Sequence, residues 1–455
     1  MKTQQKNKAV VIGAGLAGSE AAWQLACRGI EVTLFEMRPE KTTPAHKTAY
    51  FAELVCSNSL RSDDYQHNAV GLMHEEMRRA HSLIMQTADK HKVPAGGALA
   101  VDRNAFSEEI TQKLQSHPLI QIVHQEALLS DFLNDEEKTP VIIATGPLTS
   151  DKMAQQMQEL TQTNSLHFFD AIAPIVYTES VNLDKTWYQS RYDKGDKEDY
   201  LNCPLTKEEY EHFVHLLNTE ETVPFKEWEK NTGYFEGCLP VEVLASRGPD
   251  TLAFGPMKPM GLRNPHQENT RPYAVVQLRK ETKDGRLMNM VGFQTKLTYG
   301  AQKRVFTQIP GLENAVFARL GGIHRNTFLK SPVLLDSRLA FKSWPHIRLA
   351  GQVSGCEGYI ESAAMGFLAG LFTAFEIKGE QAPLPPEETA IGAMLCHVTH
   401  GNVDTFQPMN INFGIFPPIV DDGKKKKKGR DKKELYAARA LNALDGWFKE
   451  LSSFA

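Results

Sequence analysis

Residues 8–18 constrain this chain more than any other stretch. Lys8 to Ile12 (KAVVI) is a short apolar run that passes directly into Gly13-Ala14-Gly15-Leu16-Ala17-Gly18. Ser19 to Cys27 follows with Ala21, Ala22, Leu25 and Ala26 as its small or apolar positions, and Arg28-Gly29 closes it. The pattern predicts a buried strand, a tight turn and a helix. Glu31 to Glu36 (EVTLFE) then reads as a second strand ending in an acid, and Glu36 lies 18 residues past Gly18. Each residue type has a physical task. Gly13 permits the turn, Gly15 lets backbone approach a pyrophosphate, and Gly18 lets helix and strand pack closely. The free N–H groups of the helix start, around Leu16 and Ala17, favour phosphate charge. An acid about 20 residues on reaches a ribose hydroxyl. Together they predict a dinucleotide site opening an α/β domain.

Two later segments narrow the dinucleotide. Val141 to Gly146 (VIIATG) reads as another buried strand ending in Ala-Thr-Gly. Ile347 to Gly370 reads as a strand running through glycines into a small-residue helix that begins near Ile360. The three segments in this order are similar to flavoproteins of the glutathione-reductase type, in which the last one meets the flavin. The customary Gly-Asp is Gly351-Gln352 here. The helix after Gly358 and Tyr359 would aim its N-terminus at the flavin and favour negative charge on the reduced ring.

Between about Asn164 and Lys330 the strand–helix alternation stops. Short strands such as Ala274 to Leu278 take over, with a predicted helix over Lys207 to Leu217. The expectation is a Rossmann-like FAD-binding α/β domain from residues 1–163 and 331–455, interrupted by an α+β insertion domain over 164–330. Gln381 to Glu387 (QAPLPPE) is a connector, and Lys433 to Leu451 has helical spacing.

Composition excludes several classes. Hydrophobic residues make up 41% and charged residues 23% of 455, which rules out wholesale disorder. No window approaches the ~18 uninterrupted apolar residues of a spanning helix, and Ala9 to Ile12 is too short for a signal-peptide core. Six cysteines, none in CxxC or zinc spacing, suit free thiols in a reducing cytoplasm, with no metal site. Residues 424–433 (KKKKKGRDKK) carry net +7, which leaves −11 for the rest of a chain whose total is −4. Such a run is a solvated basic loop, or one that attracts polyanions.

Two cysteines sit in unusual settings. Cys56 precedes Ser57-Asn58-Ser59, residue types of turns or helix caps, with Arg61 close by. A thiol at a helix start beside a cation would hold more thiolate. Cys238 lies between Gly237 and Leu239-Pro240, an expected exposed turn. Cys27 and Cys396 read as packing cysteines.

Several long, compositionally odd stretches carry a wider resemblance. They include Glu53–Arg61 (ELVCSNSLR), Phe169–Val176 (FDAIAPIV), Ser190–Gly195 (SRYDKG), Tyr200–Thr206 (YLNCPLT), Phe235–Val241 (FEGCLPV), Phe254–Gly261 (FGPMKPMG), Gln294–Leu297 (QTKL) and Ala318–Phe328 (ARLGGIHRNTF). With Val11–Gly18 and Gly351–Glu361 they resemble the flavin- and folate-dependent RNA uracil-C5 methyltransferases, the TrmFO family for the tRNA-acting members, from the N-terminus to about Gly414. The lysine run is outside the resemblance.

The resemblance implies FAD, 5,10-methylenetetrahydrofolate as one-carbon donor, NAD(P)H as reductant, and tRNA as substrate at its T-loop uridine, position 54. Some relatives act on ribosomal RNA, and the residues do not choose between the two. No obligate protein partner is implied. Carbon 5 of uracil is a poor nucleophile. A thiolate adding at carbon 6 activates it, and a base must then remove the proton from carbon 5. By motif match Cys56 and Cys238 are the two functional cysteines. Cys238 is taken as the carbon-6 nucleophile and Cys56 as the thiol beside the flavin, an assignment open to reversal. Cys203 is a third candidate. His324 and Arg325 are matched to the folate, the first to stack on the pterin and the second to pair with its polar atoms, with Lys296 as a further contact. Arg191, Tyr192 and Lys194 have chemistry suited to an extruded base. Two other readings stand beside this one: a GidA/MnmG-like flavoprotein acting on the tRNA wobble uridine, though those chains are longer, and a non-catalytic flavin-containing RNA-binding protein.

Overall fold

In the computed structural model the described residues are 7–43, 45–161, 166–193, 199–223, 239–266, 271–419 and 429–453, with the side chains of 166–170 and 324–325 excepted. The opening pattern folds as its residues dictate. Strand β1 (Lys8–Ile12), helix α1 (Leu16–Ala26) and strand β2 (Glu31–Glu36) form in sequence, with β1 and β2 parallel and in register from Lys8↔Glu31 to Ile12↔Phe35. β1 lies inside a six-stranded sheet of order Ala340–Phe341, Trp344–Leu349, Val141–Ile143, β1, β2, Ile120–His124. Its pairings are parallel except for the hairpin of the first two strands. The chain's first strand therefore lies between β2 and the strand from residue 141. That is where the connections diverge and where such sheets open a crevice at their carboxyl ends.

The helix Tyr359–Ile377 covers α1, and its glycines explain how closely. A Cβ on Gly366 would lie 2.1 Å from the Ala17 carbonyl oxygen, and one on Gly370 would lie 2.8 Å from that of Ala21. Glycine four residues apart lets two backbones touch. This helix is long and apolar enough to cross a membrane, but 94% of its apolar window is buried inside the protein.

A second six-stranded sheet is antiparallel. Its order is Trp187–Tyr188, Tyr200–Leu205, Ala274–Lys280, Leu287–Met290, Ile175–Tyr177, Phe317–Arg319, and it encloses its own core with Phe213, Phe293 and Phe306 fully buried. An antiparallel ribbon, Leu166–Ile172 with Gly322–Phe328, carries the chain out to this sheet and back. A three-stranded sheet of Ser59–Ser62, Ala98–Val101 and Lys92–Val93 sits against both units. The Tyr200 hydroxyl donates to Ala95 O, and Gly96 N–H donates to Asp199.

Local chemistry fixes several boundaries. Thr206 and Glu209 make a reciprocal capping box that starts the helix Lys207–Thr219, two residues longer than the predicted one. The last helix starts earlier than expected, at Arg430, so residues 430–433 of the expected basic loop are helical. Arg430 Nε donates to His67, and His67 also meets Glu434, which fastens that first turn to the body. Residues 424–428 lie outside the described residues. Cys27, expected in packing, is the exposed C-cap of α1.

Candidate active site

The glycine turn behaves as its spacing demands. Gly13 has φ +96°, and a Cβ there would meet the Ala144 carbonyl oxygen at 2.6 Å. A Cβ on Gly18 would fall 1.7 Å from the Gly13 carbonyl oxygen, whereas one on Gly15 meets nothing within 4 Å. Gly15 is thus open because the cavity lies there. No side chain caps α1, so its first-turn donors are left for a ligand.

The cavity these residues open has a volume of about 350 Å³. Gly13, Gly15, Leu16, Ala17 and Glu36 line one end. Gly146, Gly351, Gln352, Gly358 and Tyr359 line the remainder, with Cys56 among them. Ala14 and Gly18 are buried behind the turn. Gly358 caps the second helix with φ +114° and no side-chain cap, so two uncapped helix starts converge on one cavity.

Glu36 is more heavily engaged than a free ribose acceptor. It accepts from Ala14 N–H at 3.0 Å, Arg38 N–H at 3.0 Å and Arg38 Nε at 2.9 Å. Burial opposes its ionisation, yet the Arg38 hydrogen bond and charge, with the two backbone N–H groups, hold the carboxyl below its usual range. Arg38 is itself buried and donates to the Thr48 and Tyr50 carbonyls. The acid therefore organises the turn through Ala14 and presents an ionised edge to the cavity. The signal for Arg38 was available two residues beyond Glu36.

At Gly351-Gln352 the missing acid is supplied from elsewhere. Gln352 Nε2 donates to Glu357, which also lines the cavity. Gln294 and Asn410 line it as well and were not anticipated. Arg61, expected to lie beside Cys56, instead pairs with the buried Glu361.

Cys56 is not at a helix start. Residues 53–58 are irregular and lead into the strand Ser59–Ser62, so Ser57-Asn58-Ser59 makes a turn and caps no helix. The Cys56 Sγ donates to Ala171 O at 3.6 Å. The Tyr359 hydroxyl oxygen accepts from Cys56 N–H at 2.9 Å and Ser57 N–H at 3.1 Å, clamping the cysteine loop to the start of the second helix. Burial, then the nearby Cys56, push the Tyr359 phenol up, so it stays protonated. From the antiparallel sheet Arg279 donates to Ser57 Oγ at 3.1 Å and Asn58 Oδ1 at 2.7 Å. Arg103 pairs with Glu281 at 3.0 Å; burial opposes its charge, but Glu281, Tyr359 and Cys56 raise its affinity for the proton. Arg319 is pulled down by burial and by the like charge of Arg103. Arg279 thus holds the Cys56 loop, and Arg103 and Arg319 interact with Cys56 electrostatically, but none of the three lines the cavity, whose lining carries Arg38 and Arg61 beside Glu36, Glu53, Glu126 and Glu357.

Other expected residues fall elsewhere. Cys203 is fully buried in the second core, its thiol pushed up by burial, and acts as a packing residue. Arg191 lies outside the cavity, with its guanidinium donating to Gln277 Oε1 at 2.8 Å and to the Lys258 and Pro256 carbonyls. Lys296 does not line the cavity, although Gln294 of the same QTKL stretch does. The backbone of His324 and Arg325 pairs with Asp170 and Phe169 in the ribbon, but their side chains lie outside the described residues, as does Cys238.

Residues 8–381 match the family described as Glucose inhibited division protein A. A GidA from Aquifex aeolicus superposes with a TM-score of 0.68 at 15% identity, over 98% of this chain and 73% of that one, which shows the shared fold. The sequence comparison is finer. A methylenetetrahydrofolate–tRNA-(uracil-5-)-methyltransferase TrmFO from Paramagnetospirillum magneticum is 59% identical over 444 residues, covering 97% of this chain and 98% of the relative. The chain belongs to the TrmFO family. A TrmFO from Rhodopseudomonas palustris is 57% identical over 96% of this chain and 95% of its own. The TrmFO family thus extends over both sheets, the cavity and the C-terminal helix, and separates this chain from a GidA-like wobble-uridine reading.

Proposed function

We infer that this chain is a folate- and FAD-dependent tRNA (uracil-5-)-methyltransferase. The overall conversion takes the methylene carbon of 5,10-methylenetetrahydrofolate to carbon 5 of uridine. A two-electron reduction to methyl releases tetrahydrofolate and 5-methyluridine. We assign FAD to the cavity under α1 and NAD(P)H as the reductant that regenerates the flavin. The target is the T-loop uridine, position 54, and the enzyme works in the cytoplasm.

The observation that carries the reading is a half-buried thiol, Cys56, in the same cavity as the glycine turn. The residues there suit FAD: uncapped first-turn donors at α1 for the pyrophosphate, and Gly351, Gln352 and the Gly358–Tyr359 helix start for the flavin end. When bound, FAD supplies the electrons for the reduction. The chain's own groups do the rest. One of Cys56 and Cys238 adds to carbon 6 of the uracil, which makes carbon 5 nucleophilic, and the other removes the proton from carbon 5 before the carbon-6 bond breaks. Tyr359 and Arg279 hold the Cys56 loop in position. His324, Arg325 and Lys296 are assigned to the folate. The unit of 1–163 with 331–455 is proposed to bind the cofactor, and 164–330 to be an insertion domain that holds substrate.

Incubation with FAD, NAD(P)H and isotope-labelled methylenetetrahydrofolate, with unmodified tRNA or ribosomal RNA, tests this by mass spectrometry. Label in 5-methyluridine of the T-loop is the expected result. Label only in ribosomal RNA would keep the chemistry and move the target. Label in neither, with flavin bound, would overturn the reading in favour of a non-catalytic RNA-binding protein.

A further inference from the structure

The loop after the short helix Thr251–Phe254 presents an unusual surface. Residues 251–266 contain Lys258 and Arg263 and no acid. Phe254 is 84% exposed and Met260 57%. Across from this loop Tyr192 is 59% exposed, and its backbone sits in the left-handed region at φ +60° with Asp193 following at +54°. Non-glycine residues rarely hold that conformation, and consecutive ones need bracing.

The bracing is visible. Arg191 spans the gap, donating to Gln277 Oε1 and to the carbonyls of Lys258 and Pro256. Tyr192 N–H donates to Gly261 O at 2.9 Å, and Gln189 Nε2 holds the Asp193 carboxylate at 2.8 Å. One side of the Tyr192 ring rests on Gly261, where a Cβ would meet its ring carbons at 2.8–2.9 Å. Gly261, itself at φ +79°, leaves room for the ring. The rest of the aromatic surface is turned to solvent.

This surface is joined to the catalytic loop by a single strand. Gln277, which Arg191 grips, and Arg279, which grips Ser57 and Asn58 beside Cys56, are two residues apart on the strand Ala274–Lys280. They share one face, roughly 7 Å apart along the strand. That strand therefore links the brace of the surface to the Cys56 loop.

We propose that Tyr192 and Phe254 form a base-stacking platform for unstacked tRNA nucleotides flanking the target uridine, with Lys258 and Arg263 meeting their phosphates. Arg191 is a positioning residue that sets the platform and touches no RNA. This rests on the tRNA-methylating function above and names the part of the substrate that the antiparallel sheet holds. Asp193 beside Tyr192 accepts from Gln189, and Asp250 before the short helix accepts from the Tyr273 hydroxyl. Separate aromatic faces with cations between them are the chemistry that binds single-stranded nucleic acid.

The test is tRNA binding by the flavin-loaded enzyme, measured by fluorescence anisotropy at several salt concentrations, with flavin content and NAD(P)H oxidation as controls. Wild-type binding and methylation establish the underlying reading, and their absence would sink that reading before the platform is examined. Given both, Tyr192→Ala and Phe254→Ala should each weaken tRNA binding by about tenfold with an unchanged salt slope, because stacking releases no counterions. Phe254→Trp should restore binding. Lys258→Ala should instead lower the slope. Arg191→Lys keeps the charge but cannot span its three acceptors, so it should match Tyr192→Ala. Binding by Tyr192→Ala and Phe254→Ala equal to wild type would overturn the platform, as would a change of oligomeric state in Phe254→Ala with tRNA affinity unaltered.

Discussion

Replacing Tyr359 by Phe removes one oxygen and nothing else from the cavity wall. That oxygen accepts two backbone N–H groups, from Cys56 at 2.9 Å and Ser57 at 3.1 Å. An unsatisfied buried donor costs about 1–3 kcal/mol, and this loop is only partly buried, so about 1 kcal/mol for each N–H is the appropriate scale. The ordered position of the cysteine loop then becomes about 2 kcal/mol less favoured, which lowers the competent fraction by up to roughly 30-fold. The ring and the helix start at Gly358 are untouched, so flavin binding should persist. The assay is methylation kcat/KM at matched flavin content, alongside NAD(P)H oxidation and amide hydrogen exchange at Cys56 and Ser57. The expected result is a loss of about 10- to 30-fold in methylation, faster exchange at those two amides, and unchanged flavin content and NAD(P)H oxidation. Methylation within twofold of wild type would refute the argument. Parallel loss of flavin and methylation would show that Tyr359 serves the flavin and not the thiol loop.

The glycine turn separates packing from binding. Gly18→Ala must push on the Gly13 backbone and should yield little folded protein, whereas Gly15→Ala should fold normally by circular dichroism yet bind FAD roughly 10- to 100-fold more weakly, the worth of one hydrogen bond to a charged group. Arg279→Ala unties the antiparallel sheet from Ser57 and Asn58, so methylation should fall by about tenfold or more while NAD(P)H oxidation, measured in parallel, stays at the wild-type rate. Glu109 gives a pH test. Burial opposes its ionisation, but Lys90, His91 and Lys113 bring its pKa from 4.5 to about 2. A folded-state pKa below the unfolded one gives stability that is present above about pH 4.5 and lost as pH falls toward 2. Glu109→Gln should therefore cost about 1 kcal/mol at pH 7 by chemical denaturation, a surface-scale value because Lys90 is in water, and the difference should shrink below pH 4.5.

Legibility in the sequence followed the range of the forces involved. The dinucleotide turn was readable because its determinants are local: three glycines, a strand before and a helix after, with Gly18 seated against the Gly13 carbonyl. The small-residue helix was readable too, and two functions proved to be superimposed in it. Gly366 and Gly370 serve contact with α1, while Gly358 and Tyr359 serve the cavity. A lone glycine-rich segment does not reveal that division, because the contact that distinguishes them comes from residues some 350 positions away.

Reasoning from near neighbours failed where a residue's partner was distant in sequence. Arg61 is five positions from Cys56, yet it turns to Glu361, 300 residues on, and the cation that meets the Cys56 loop is Arg279. The residue types after Cys56 allowed a turn or a helix cap, and the extended pairing of Ser59 with Ala100 selected the turn over the helix start. Arg191 had suitable chemistry for RNA, but Gln277 and the carbonyls of Lys258 and Pro256, all distant in sequence, took its donors. The two arginine cases share a cause. A charged side chain goes to the acceptor that most needs desolvated compensation, and that acceptor is set by the tertiary fold. The sheet inserted between the flavin-site segments brings Arg279 to the thiol loop, and Glu281 just past that strand pairs with Arg103 of the first unit. The surroundings of Cys56 are thus a property of how the two sheets meet, and substitutions along that seam should change methyl transfer before they change flavin binding.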